Sequence, residues 1–294
     1  MRLLVTGGCG QVGTELAQRA PARGFKVQAP GSAELDITDA SAVRRAVAGV
    51  DKVINAAAYT AVDRAEQEPE RAYAANRDGP AVLATACAER GIPLLHLSTD
   101  YVFDGRRPGP YREDHPVAPL GVYGASKWAG EQAVRERLEQ HLILRVSWVF
   151  GAYGHNFVRT MLRLAREREE LRVVADQHGC PTHAGAIAET LLELAQRLSF
   201  SDDSRWGTYH YCGVPATTWH GFAEAILAQV RTLMTVTCRR VVAITTEDFP
   251  TPAPRPANSV LDCSRIAAVF GLSPEPWTDG LAQVLNRWCM TVEP

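Results

Sequence analysis

RLLVTGGCGQVGTEL, residues 2–16, decides the fold. The run RLLVTG reads as a short buried strand, and VGTELAQRAPARG as the helix after it. Between them Gly7, Gly10 and Gly13 stand three residues apart. Glycine suits that place because the chain must turn tightly, approach a phosphate with its backbone, and pack a helix closely on a strand. The N–H groups of the first helical turn have no intrahelical partner, so they face a pyrophosphate as donors. The loop therefore points to dinucleotide binding on an α/β scaffold.

Working outward, the first half of the chain keeps the same rhythm. KVQAP, DKVINAAA, PLLHLSTDYVF and LILRVSWVFG read as strands. DASAVRRAVAGV, PERAYAANRDGPAVLATACAERG and GASKWAGEQAVRERLEQ read as the helices between them. Apolar strands separated by amphipathic helices predict a doubly wound, Rossmann-type parallel sheet covered on both faces. After Gly151 the alternation weakens. NFVRTMLRLAREREE and GAIAETLLELAQRLS are helices, SFSDDSR is a solvent loop, and residues 215–256 mix a helix, a strand and a Pro-rich segment. The expected division is a dinucleotide-binding domain over 1–150, also using part of 176–204, and a smaller mixed α/β substrate lobe over 151–294.

Bulk properties exclude several classes. The 294 residues carry a net charge of -2, with no dense basic stretch, so no nucleic-acid partner is expected. No apolar run approaches the roughly 20 residues of a membrane span, and MRLLVTGGCG has neither a charged leader nor a cleavage site. The seven cysteines are scattered without a C-x-x-C pair and read as free thiols in a reducing cytoplasm. His178, Cys180 and His183 in QHGCPTH match no standard zinc spacing, so no metal site is expected.

A second motif carries chemistry. GVYGASKWAGEQ, 121–132, places Tyr123 and Lys127 one helical turn apart. Of the 31 Lys+Arg residues, lysine occurs only at Lys26, Lys52 and Lys127. An ammonium beside a phenol favours the phenolate and is expected to lower the Tyr123 pKa toward working pH. Its three donors can hold a cofactor ribose at the same time.

The glycine spacing and the Tyr-x-x-x-Lys pair resemble the short-chain dehydrogenase/reductase superfamily. That likeness implies that Gly7, Gly10, Gln11, Val12 and Gly13 contact the cofactor. Asp36 and Ile37 of ELDITD would read its adenine end from a strand terminus. Ala56, Ala57, Ala58 and Thr60 of NAAAYT would let the backbone approach it, and Lys127 would hold its ribose. Thr99, in HLSTDYVFDG, completes the superfamily's Ser/Thr, Tyr, Lys set. After the second strand APGSAE offers neither a ribose-reading Asp nor a phosphate-reading Arg at its first positions, so NADPH and NADH stay equally open.

Nearly end to end, the chain is similar to the dTDP-4-dehydrorhamnose reductases. GQVGTEL, NAAAYTAVDRAE, STDYVFDG, VYGASKWAGE, LRVSWVFG, TMLRLA, TTWH and RPANS carry this resemblance. It implies reduction of the C4 keto group of dTDP-4-dehydro-L-rhamnose, with Thr99, Tyr123 and Lys127 catalytic. It also implies Asp100 and Trp148 in the sugar pocket, the indole face covering the pyranose. Asn156, Gln177 and Arg255 fall to the nucleotide-diphosphate side, where Arg255 could grip phosphate in bidentate fashion. A homodimer is compatible with the likeness. A metal-bridged one is not expected, because HAGA (183–186) and Arg287 stand where glutamates would be needed beside Glu15. Two alternatives remain. A nucleotide-sugar dehydratase or epimerase would carry Asp-Glu after the threonine, whereas Asp100 and Tyr101 follow Thr99 here. A non-catalytic regulatory subunit, like the β subunit of methionine adenosyltransferase, would bind NADP without turnover.

Overall fold

The computed structural model describes residues 1–198 and 204–290. Most of the expected SFSDDSR loop lies outside them, as does the side chain of Cys289. Strand β1 (Arg2–Thr6) runs into helix α1 (Gln11–Arg19), followed by β2 (Lys26–Gln28), α2 (Ala40–Ala46) and β3 (Lys52–Asn55). Short α3 (Val62–Ala65) and α4 (Pro69–Tyr73) lead through a π turn at Ala74–Asp78 into α5 (Gly79–Arg90). Then come β4 (Leu94–Thr99), α6 (Val122–Arg137), β5 (His141–Val146), β6 (Val149–Phe150), α7 (Phe157–Glu167), β7 (Glu170–Val174), β8 (His178–Gly179) and β9 (Thr182–His183). The chain ends with α8 (Ala184–Arg197), β10 (Gly207–His210), β11 (Thr217–Thr218), α9 (Trp219–Leu233), β12 (Arg240–Ile244), α10 (Ser264–Phe270) and α11 (Trp277–Met290).

The central sheet has the order β10-β5-β4-β3-β1-β2, and every pairing in it is parallel. The chain leaves β1 toward β2, then crosses back to β3 and continues the other way. The switch point therefore falls between β1 and β3, where open α/β sheets bind ligands beyond their carboxyl ends. One face of the sheet buries Leu3, Val5, Leu95 and Leu144 with residues of α1 and α8, including Leu16, Ile187 and Leu191. The other buries Leu4, Val53 and Leu94 with Val43 of α2 and Leu83 of α5. A separate core joins Val158 and Leu162 of α7, Phe222 and Ile226 of α9, and Leu281 and Leu285 of α11. Strand β10 and helix α8 both belong to the central sheet and its layers, although they come from the second half of the chain.

Two local expectations are overturned. LRVSWVFG does not run as one strand. It breaks at Ser147 and Trp148, and β6 leaves the central sheet to pair with β9. Trp148 has φ 44°, the one non-glycine residue in the left-handed region among the described residues. Such a conformation costs on the order of 1–3 kcal/mol and persists only where the surroundings impose it. ELDITD does not end a strand either. The second strand stops at Gln28, and Asp36 sits exposed in a turn, accepting hydrogen bonds from Thr38 N at 2.9 Å and Thr38 Oγ1 at 2.8 Å. Those bonds hold its carboxyl below the usual carboxylate range. The Asp side chain's habit of bonding backbone two residues on makes a turn here, which competes with the strand.

Helix α6 is locked to the sheet by charge. Glu131 is fully buried and accepts from Arg145 Nε at 2.8 Å and Nη2 at 2.7 Å, from Arg135 Nη2 at 2.7 Å, and from Ser98 Oγ at 2.5 Å. Burial works to raise its pKa, but the two guanidinium charges and these hydrogen bonds hold it down to about 2. Arg145 is itself 1% exposed. Removing one member of a buried pair strands the other without compensation, at a cost of roughly 3–5 kcal/mol. Glu131→Gln is therefore expected to lower unfolding free energy by about that amount. Urea denaturation checks this, and a midpoint unchanged from the parent protein would refute it.

Candidate functional site

The site is built first by the glycine loop. Gly7 has φ +74°, and a Cβ there would lie 2.6 Å from Ala57 N, so the loop presses against the chain leaving β3. A Cβ on Gly13 would lie 2.1 Å from Gly7 O, which lets the first turn of α1 fold back on the loop. Gly10 is the N-cap of α1 and contributes no side-chain cap, so the N–H groups of the first turn stay turned outward. This is a cradle for a phosphate group. Asn156 supports it from the side. It caps α7 by accepting from Arg159 N at 3.1 Å, and its Nδ2 donates to Gln11 Oε1 at 3.0 Å.

Above the carboxyl ends of β1, β3 and β4 lies a cavity of about 550 Å³. Gly10, Gln11, Val12, Ala56, Ala58 and Thr60 line it. So do Thr99, Asp100, Tyr123, Lys127 and Trp148. The sequence motifs from five separate segments are thus brought to one cavity. Lys127 is 2% exposed and donates to Leu97 O at 2.6 Å, which aims its ammonium along the end of β4. Burial draws its pKa down to about 8, with the Glu131 carboxylate one turn on opposing the shift. Tyr123 is half-buried and meets Tyr101 edge to face at 5.9 Å. Enclosure pushes its phenol up to about 12, and the hydroxyl of Thr99 pulls against that. The expected lowering of this phenol by Lys127 is not seen: burial governs, and Tyr123 stands as a protonated donor.

Asp100 is 2% exposed, and its carboxylate accepts from Thr99 Oγ1 at 2.9 Å and Ser147 Oγ at 3.0 Å. Burial raises its pKa to about 6 against those bonds. Trp148 lines the cavity, but its ring stacks on Trp219 at 3.5 Å and 6°, so one indole face is already covered. Gly179 packs beside the same ring, where a Cβ would lie 2.3 Å from Cε2. The left-handed backbone at Trp148 is what turns the indole out of the strand line and into the cavity.

Other expected residues stand apart from the cavity wall. Gln177 donates to Thr246 Oγ1 at 3.0 Å. Arg255 pairs with Asp63 Oδ2 at 2.9 Å and donates to Ala253 O, rather than waiting for a phosphate. Asp36 is in its exposed turn, and Ile37 packs where a Cβ on Gly79 would meet it. Ala57 lies behind Gly7. Among the lining residues that were missed are His155, which is exposed, and Trp219. Trp219 was within reach, since TTWH stands out in the sequence, but nothing there reveals that its ring meets Trp148. Among the described residues no group of His, Cys, Asp and Glu is arranged to hold a metal, and no helix is long and apolar enough to cross a membrane.

Residues 1–290 match the family described as RmlD substrate binding domain. The dTDP-4-dehydrorhamnose reductase of Aggregatibacter actinomycetemcomitans is 44% identical, covering 96% of this chain and 98% of its own. That of Escherichia coli is 39% identical over 98% of each chain. The crystal structure of a Bacillus anthracis dTDP-4-dehydrorhamnose reductase in complex with NADP superposes with a TM-score of 0.90 at 37% identity, covering 97% of this chain and 99% of that one. With its parallel sheet, glycine cradle and Thr99, Tyr123 and Lys127 gathered in one cavity, the chain belongs to the dTDP-4-dehydrorhamnose reductase family.

Proposed function

We propose that this chain reduces the C4 keto group of dTDP-4-dehydro-L-rhamnose with NADPH or NADH. The observation that carries the reading is that the Tyr123 phenol and the buried Lys127 ammonium line one cavity together with Gly10, Gln11 and Val12 of the glycine cradle. The cradle fits a dinucleotide: an uncapped helix N-terminus, a left-handed glycine and a close backbone approach, with small Ala56 and Ala58 beside them. Gln11, Val12, Thr60 and Lys127 would hold that group. The reduced nicotinamide, when bound, supplies a hydride to the carbonyl carbon. Tyr123 donates its phenolic proton to the carbonyl oxygen as charge grows there. The Lys127 ammonium stabilises the phenolate left behind, and excluded water strengthens that attraction. Trp148 and Trp219 form the apolar wall on the sugar side.

Catalysis is favoured over a regulatory role because Thr99, Tyr123 and Lys127 are all retained and meet in one cavity. Reduction is favoured over dehydration because the residue after Asp100 is a tyrosine, which leaves no second carboxylate there. Six free thiols among the described residues support a reducing, cytoplasmic setting.

The test is consumption of reduced nicotinamide with dTDP-4-dehydro-L-rhamnose, run with NADPH and NADH in parallel. Neither being consumed would sink the reading. Tyr123→Phe is expected to lower kcat by roughly 10²–10⁴-fold with cofactor binding kept, and a fully active variant would mean another residue is the acid. Gly13→Ala is expected to weaken NADPH binding at least about tenfold, since its Cβ would meet backbone 2.1 Å away. Fluorescence titration reads that change, and parent-like affinity would place the phosphates elsewhere. The Lys127 ammonium is lost as pH rises through about 8. Because its charge is needed, kcat should fall across that range. A flat alkaline profile would remove the ammonium from the mechanism.

A further inference from the structure

The segment NAAAYTAVDRAE, 55–66, lends Ala56, Ala58, Thr60 and Val62 to the cavity, while its last residue, Glu66, turns to helix α6. Glu66 closes α3 and is half-buried. Its Oε1 accepts from Val122 N at 2.8 Å. Val122 is the first residue of α6, and Tyr123 is the second. The helix has no side-chain cap of its own. Gly121 stands at the N-cap in extended backbone, φ -142° and ψ 176°, with nothing to offer the first turn. The N–H groups of that turn have no intrahelical partner and need an acceptor from elsewhere. Glu66 supplies one from 56 residues away. A carboxylate also suits the positive end of the helix dipole.

The fit gives the glycine its reason. A Cβ on Gly121 would lie 2.5 Å from Glu66 Oε1, so a side chain at the N-cap and this carboxylate exclude each other. Apart from the Glu66 carboxyl, the nearest atom to that Cβ is Pro254 Cδ at 3.8 Å, an ordinary contact. The space of a local cap is thus occupied by a distant one. The segment that carries Glu66 is anchored in turn: Asp63 accepts from Ala253 N at 3.2 Å and pairs with Arg255 at 2.9 Å. Helix ends fray where their N–H groups lack partners. In α6 the turn at risk is the one that carries the proton donor.

We propose that Glu66 is a positioning residue: by holding Val122 N it fixes the first turn of α6, and so the place of the Tyr123 hydroxyl relative to the carbonyl oxygen it protonates. This role rests on the reductase reading above. It ties the segment that lines the cavity after β3 to the helix that bears the acid. Misplacing a reacting group by about 1 Å can cost about a hundredfold in rate, so loosening one turn is expected to cost about tenfold.

Kinetics with NADPH and dTDP-4-dehydro-L-rhamnose test this. Glu66→Ala should lower kcat about tenfold and enlarge the solvent deuterium isotope effect on kcat, with KM for the sugar nucleotide and affinity for NADPH kept within about twofold. Glu66→Gln keeps an acceptor oxygen and should hold kcat within about threefold of the parent. Gly121→Ala should reproduce the loss, since its Cβ pushes the carboxylate off Val122 N. The two alanine changes together should cost no more than either alone, because both break one bond. Gly121→Ser in the Glu66→Ala background places a local cap in the vacated space and should return kcat to within about threefold of the parent. Losses that multiply, a glutamine variant as slow as the alanine one, or a serine that restores nothing would overturn the proposal. An unchanged kcat in Glu66→Ala, or a loss confined to KM, would overturn it too. Should Glu66→Ala not melt cooperatively, Gly121→Ala breaks the same bond with the carboxylate retained, and a parent-like kcat there has the same consequence. An unaltered chain that turns over no keto-sugar nucleotide would defeat the reductase reading itself, and this role with it, a result distinct from any pattern among the variants.

Discussion

A full negative charge in the interior, on Glu131, holds the active helix in place. Its carboxylate is clamped by Arg145 from β5 and Ser98 from β4, and Arg135 joins it from one turn along α6. An ion pair of this kind contributes less to stability than to uniqueness, since the desolvation of both partners offsets much of their attraction. What it fixes is rotation. Glu131 and Lys127 are four residues apart and lie on one helix face. With Glu131 bound to the sheet, Lys127 has to meet the end of β4, where Leu97 offers its carbonyl. Tyr123, four residues earlier still, then emerges at the carboxyl edge of the sheet and into the cavity. Asn76 Nδ2 donating to Ser126 Oγ at 3.0 Å and Val122 N donating to Glu66 Oε1 at 2.8 Å hold the same helix alongside the clamp.

The parts that could be read in advance were those whose reasons are local. The glycine loop is legible because a left-handed turn at Gly7 and the contact at Gly13 exclude side chains whatever lies elsewhere. Tyr123 and Lys127 are legible because helical periodicity alone puts them on one face. Trp148 was placed in the pocket through family likeness, but not its stacking on Trp219, which lies 71 residues on and meets it only after β6 leaves the sheet. Asp36 was assigned to a strand end through the superfamily likeness, and the turn formed by its own side chain with Thr38 prevailed. Arg255 was assigned to the phosphate side through the family likeness and the bidentate reach of its guanidinium. Its partner, Asp63, is distant in sequence and close in space. The Trp148 stacking and the Arg255 ion pair depend on contacts between distant segments, whereas the Asp36 turn is local and prevailed over an equally local strand reading.

Electrostatics at the cavity follow the same division. Proximity of a phenol and an ammonium in the sequence suggested a lowered phenol pKa. Enclosure acts on both groups, however, and in opposite directions. It raises Tyr123 to about 12 and lowers Lys127 to about 8. For an oxidation that must remove a proton, such a phenol would be a poor base. For a reduction that must deliver one, it is ready in its resting form, and the ammonium is still largely charged at neutral pH. Burial therefore leaves the phenol protonated and the ammonium largely charged at neutral pH, a property of the cavity rather than of the motif.

The scarcity of lysine also finds a physical reading at two of its three positions. Lys127 and Lys52 are both nearly fully buried, and both direct their ammonium at backbone carbonyls: Leu97 for the first, Ala195 and Leu198 at the end of α8 for the second. A compact ammonium has three donors and is met by a few carbonyls in a narrow space. A guanidinium has five, fixed in a plane, and an interior site must satisfy nearly all of them. The buried arginine of this chain shows what that requires. Arg145 takes both oxygens of Glu131, lies over the rings of Phe103 and Trp128, and reaches His210. In a chain otherwise given to arginine, lysine stands at these two positions where the cation is buried and meets backbone carbonyls.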